Sequence, residues 1–196
     1  MGLKLQGMLI KKDYSEHPTS LFDKLGVDSF QEVTKTSFGD YWNGLQPKGS
    51  IVVTSYNKVT ILNCDSHFIS SERIKSDLSL DTEVCAFIQY DTINAFSFDF
   101  FKDGSAIRRC YYDRATGKTH IEEGNPLSFE PQQPNVEKRF YNMTEYFLGI
   151  RMDHSTLHNN ASSIEYRFTY RYPNFLTRIL KPKEYKRHNY WIKYFG

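Results

Sequence analysis

The chain has 196 residues, of which 39% are hydrophobic and 24% charged, with a formal net charge of +2 at pH 7. That length provides for one domain with a sizeable core. The composition excludes a largely disordered chain, a collagen and a disulfide scaffold.

A membrane-spanning helix needs about 20 consecutive apolar residues. The most apolar stretches, Val84–Ile88 and Ile93–Phe101, are short, and Asn94, Ser97 and Asp99 interrupt the second. Met1-Gly2-Leu3-Lys4-Leu5-Gln6-Gly7 lacks the apolar core and small-residue cleavage site of a signal peptide. Cys64, Cys85 and Cys110 are odd in number and scattered, unlike a secreted disulfide framework. Their strand-like neighbours predict three small buried residues. The expectation is a cytoplasmic protein.

In chain order, Leu3–Lys11 reads as a first strand with Met8, Leu9 and Ile10 at its centre. Residues 18–26 read as a short helix. Pro18 suits the first turn, Gly26 the position just past the last, and Leu21, Phe22 and Leu25 form one apolar stripe. Val27–Phe38 alternates as a strand, and Asp40–Ser50 is rich in Gly, Asn and Pro, as loops are. Ile51–Thr54 and Val59–Leu62 are β-branched runs on either side of Ser55-Tyr56-Asn57-Lys58, a hairpin pattern. Residues 70–79 favour a helix, capped by Ser70 or Ser71.

The middle of the chain is the clearest part. Glu83–Tyr90, Asn94–Phe101, Ser105–Tyr112 and Lys118–Glu122 favour strand, with turns at Asp103-Gly104 and Ala115-Thr116-Gly117-Lys118. Phe96, Phe98 and Phe100 alternate with Ser97 and Asp99, the period of a half-buried strand. These segments predict a four-stranded antiparallel meander. After Pro131-Gln132-Gln133-Pro134, a helix over 135–148 carries Val136, Phe140, Met143 and Phe147 on one face, and Gly149 ends it. Met152–Ser163 is polar and loop-like, and Ile164–Tyr172 alternates as a late strand. Strands and helices without regular alternation predict a single α+β domain over 1–172. Its centre is the meander, with about three helices packed on one face and a basic, aromatic tail over 173–196 docked on it.

The segment from Phe98 to Arg109, with its Asp103-Gly104 turn followed by Arg108, leads on to Gly124-Asn125-Pro126-Leu127-Ser128-Phe129-Glu130. Together with the start Met1-Gly2-Leu3-Lys4, it resembles a family of uncharacterised bacterial proteins. Members carry an Asp-Gly turn followed by Arg and a Gly-X-Pro-Leu-X-Phe-Glu signature. Some relatives are immunity-like or accessory proteins of toxin systems. The resemblance therefore implies a module that binds a protein partner and uses no cofactor. Read from the residues alone, the same segment is structural. Asp103-Gly104 makes a hairpin and Gly124 permits a positive φ. Arg108 and Arg109 face opposite sides of a strand, so one of them can pair with Glu130 or Asp99.

Other chemistry is sparsely represented. His154 and His158 share a face if their segment is helical, and Asp153 could complete a metal set. Ser155 stands where a metalloprotease motif places Glu. Cys64-Asp65-Ser66-His67 places a thiol near an imidazole, but neighbours on a strand point apart. No Walker loop, dinucleotide fingerprint or Gly-X-Ser-X-Gly elbow occurs in the sequence. A hydrolase or metal enzyme therefore stands as a rival reading.

The tail is the most distinctive feature. Ile164–Gly196 holds eight Lys and Arg against Glu165 and Glu184, a net +6 that leaves −4 for the rest of the chain. The same stretch holds ten aromatic residues. Arg171, Arg178, Lys181, Arg187 and Trp191 are the candidate partner contacts, because Trp, Tyr and Arg dominate interface energetics. Phosphate tracking and base stacking are a second use of such a segment, so nucleic acid is the alternative partner.

Overall fold

A computed structural model describes residues 4–41, 49–90, 95–113, 118–131, 136–153 and 155–170. Its frame is one nine-stranded antiparallel sheet. The strands are β1 (Lys4–Ile10), β2 (Val27–Ser37), β3 (Ser50–Tyr56), β4 (Val59–Asn63), β5 (Glu83–Tyr90), β6 (Ala95–Lys102), β7 (Ser105–Asp113), β8 (Lys118–Glu123) and β9 (Ser162–Tyr170). Their order across the sheet is β2-β9-β3-β4-β1-β5-β6-β7-β8. The predicted meander is β5 to β8, and it forms one wing of this sheet rather than its centre. The late strand, β9, is inserted between β2 and β3.

Two-residue turns close both tight hairpins. Asn57 and Lys58 have φ of 49° and 64°, and Asp103 and Gly104 have φ of 51° and 73°. Positive φ at both central residues matches the right-handed twist of the flanking strands. Asn57 also donates its side-chain amide to the Leu148 carbonyl at 2.9 Å, tying the first hairpin to a helix end.

Six helices decorate the sheet among the described residues: α1 (Pro18–Leu25), α2 (Phe38–Tyr41), α3 (Ser66–Ser70), α4 (Glu72–Leu78), α5 (Val136–Leu148) and α6 (Ser155–Asn160). Gly26 ends α1 in the left-handed region at φ 70°, as its position in the sequence implies. Of the two candidate caps, Ser71 accepts from Ile74 N–H at the start of α4. Asp65 caps α3 by accepting from His67 N–H.

The expectation of three helices on one face is corrected by the two cores. Leu21, Phe22 and Leu25 of α1, Phe68 of α3, and Ile74 and Leu78 of α4 pack with Met8, Ile10, Val84 and Phe101 on one face. Phe140, Met143 and Phe147 of α5 pack with Leu5, Leu9, Phe96, Phe98 and Phe100 on the other, joined by Phe38 and Leu157. The cause is β1, whose alternate residues feed opposite cores (Leu5 and Leu9 one way, Met8 and Ile10 the other). A strand buried on both sides demands cover on both, so the helices divide between the faces. The 152–163 segment is likewise not a plain loop. α6 forms there because Leu157 is fully buried beneath it.

Candidate functional site

Arg108, Phe129 and Glu130 of the signature converge on one buried cluster. β7 is bulged opposite Phe100 and Phe101, and the bulge leaves Arg108 paired with Phe100, facing the core under α5. The Arg108 side chain is 1% exposed. Its Nε donates to Glu130 Oε1 at 2.8 Å and its Nη2 to Glu130 Oε2 at 2.9 Å, a two-pronged pair. Nη2 also donates to Glu122 Oε1 at 2.5 Å, and Nη1 donates to the Gly124 carbonyl at 2.8 Å. Glu130 accepts from Leu127 N–H at 2.9 Å as well. These bonds, led by Glu130, push the guanidinium further above its already high ordinary range.

The intervening signature residues serve the same clamp. Gly124 sits at φ 80°, and a Cβ there would lie 2.1 Å from the Ile107 carbonyl oxygen. Only glycine lets the loop lie this close to β7. Phe129 turns inward against Phe98 and Phe100, at centroid distances of 5.8 and 6.3 Å. Asn142 of α5 holds the Phe129 carbonyl at 2.9 Å. Asp99, the other partner considered for the arginines, is taken by Lys75 of α4. Arg109 lies on the other face of the sheet, where it pairs at the surface with Glu72 at 2.7 Å and Glu123 at 3.3 Å.

Sequence reasoning missed two buried charged residues, Arg139 beside this cluster and Lys75 on the other face of the sheet. Arg139 of α5 donates to Cys110 Sγ at 2.7 Å and lies 3.9 Å from Glu130. Lys75 is 2% exposed on α4. Each is a charged residue adjoining an apolar one (Arg139 before Phe140, Lys75 after Ile74), at the margin of its helix's apolar stripe. That placement is the signal that could have found them.

The cysteines are free and buried. Burial pushes the Cys64 and Cys85 thiols well above their ordinary range and raises Cys110 as well. A thiol so held is a poor nucleophile at neutral pH. Asp65, the neighbour of Cys64, spends its carboxylate on the α3 cap. Of the metal candidates, Asp153 pairs with Arg151 through two bonds of 3.1 and 3.0 Å. His158 lies edge-on to Phe38 with its Nε2 3.1 Å from the Met152 carbonyl oxygen. His154 lies outside the described residues, as do Arg171, Arg178, Lys181, Arg187 and Trp191. Among the described residues, no group of three or more His, Cys, Asp or Glu could hold a metal ion.

The solvent-facing constellation is a shallow cleft of about 300 Å³ at the end of the sheet, lined by Lys11, Asp81, Thr82, Glu83, Lys102 and Asp103. Glu83 is its hub. It pairs with Lys11 at 2.8 Å and Lys102 at 3.2 Å, and accepts from the Tyr146 hydroxyl at 2.9 Å. Burial alone would raise its carboxyl, but these three donors hold it below the ordinary carboxylate range. Asp81 is also held low, chiefly by a hydrogen bond from Lys12. Among the described residues, no helix is long and apolar enough to cross a membrane.

The chain matches no family model, no curated protein and no solved structure.

Proposed function

We propose that this chain is a non-enzymatic protein-binding module, of the immunity-like or accessory kind implied by its signature, and that Arg171, Arg178, Lys181, Arg187 and Trp191 contact the partner. The supporting observation is the segregation of charge and aromatic residues along the chain. Residues 171–196 carry seven Lys and Arg against Glu184, while the residues before them are net acidic. Arg, Tyr and Trp together are the residue types that carry interface energy. The segment follows directly on β9, a strand paired on both sides, so the preceding backbone is firmly held. Arg108 and Glu130, by contrast, satisfy each other inside the fold, so their pattern is accounted for by stability rather than by contact with a partner.

The test is affinity capture from a lysate of the source cells, divided into nuclease-treated and untreated halves. A truncation ending at Tyr172, checked for folding by circular dichroism, is the control. The expected result is a protein that survives nuclease and is lost with the truncation, and whose purified form binds Trp191→Ala and Arg187→Ala variants more weakly. Loss of all captured material on nuclease treatment moves the function to nucleic acid. Capture by the truncation as well moves the contact surface to the folded body.

A further inference from the structure

We draw no further inference here: the strongest candidate, the charged cleft at the end of the sheet lined by Lys11, Asp81, Glu83 and Lys102, has Asp81 and Glu83 already paired with Lys12, Lys11 and Lys102, and nothing in the structure shows what would cover it.

Discussion

Replacing Arg108 with Met keeps much of the side-chain volume and removes the charge. Glu130, 2% exposed, then loses its two-pronged partner, and among the described residues Leu127 N–H and the more distant Arg139 remain to it. Breaking a buried pair by removing one member costs about 3–5 kcal/mol, because the remaining charge is stranded. At about 2–4 °C per kcal/mol for a chain of this size, the melting temperature should fall by roughly 6–20 °C. Glu130→Leu should also destabilise the chain, since Arg108 loses its two-pronged partner while keeping Glu122 and the Gly124 carbonyl, and Arg139 loses the carboxylate 3.9 Å away. The double variant Arg108→Met, Glu130→Leu should recover part of the loss, with a coupling of at least about 1.5 kcal/mol in a double-mutant cycle. Chemical denaturation of the four proteins measures this directly. Single variants within about 1 kcal/mol of the parent, or strictly additive losses, would show that the cluster does not hold the 124–130 loop to the sheet.

Three further outcomes follow from the same structure. Gly124→Ala should destabilise the chain far more than Gly149→Ala. Both residues have positive φ, but the added methyl meets the Ile107 carbonyl oxygen at 2.1 Å in the first case and nothing nearer than 3.9 Å in the second. Gly149→Ala should cost about 1 kcal/mol, and equal denaturation midpoints would refute the close-approach argument. A thiol reagent should modify the folded protein slowly and all three cysteines rapidly after denaturation, since each is buried and its thiol is raised by burial. Rapid labelling of one cysteine in the native state would contradict its placement. Glu83 and Asp81 are held below their ordinary values in the fold, so each contributes stability that is fully present above about pH 5 and is lost as pH falls through the folded value. Denaturation midpoints should drop below about pH 4.5, and Glu83→Gln should flatten that drop; an unchanged slope would remove Glu83 from the account.

The local elements were legible in the sequence because their signals are local. Pro18 and Gly26 bracket α1, Asp103-Gly104 closes a hairpin, and the spacing of Phe140, Met143 and Phe147 marks α5. The opposition of Arg108 and Arg109 followed from the strand period, and the Arg108–Glu130 pair was among the partners that period allowed. The readings that failed depended on distant partners. α6 hides in a polar segment because a single residue, Leu157, is what it buries. Arg139 and Lys75 drew no reading from the sequence, because the partners that hold them, Cys110 and Asp99, lie on other elements.

What the sequence determined by itself is the set of pieces: strand periods, helix faces, tight turns, a buried fate for the cysteines, and the segregation of positive charge into the last residues. Which face each helix covers was decided only by the tertiary structure, through β1. Leu5 and Leu9 point into one core and Met8 and Ile10 into the other, so both sides of the central strand had to be covered. The place of β9 was decided in the same way. Alternation marks a strand, but its insertion between β2 and β3, more than a hundred residues earlier in the chain, depends on long-range hydrogen bonding and side-chain packing that no local pattern encodes.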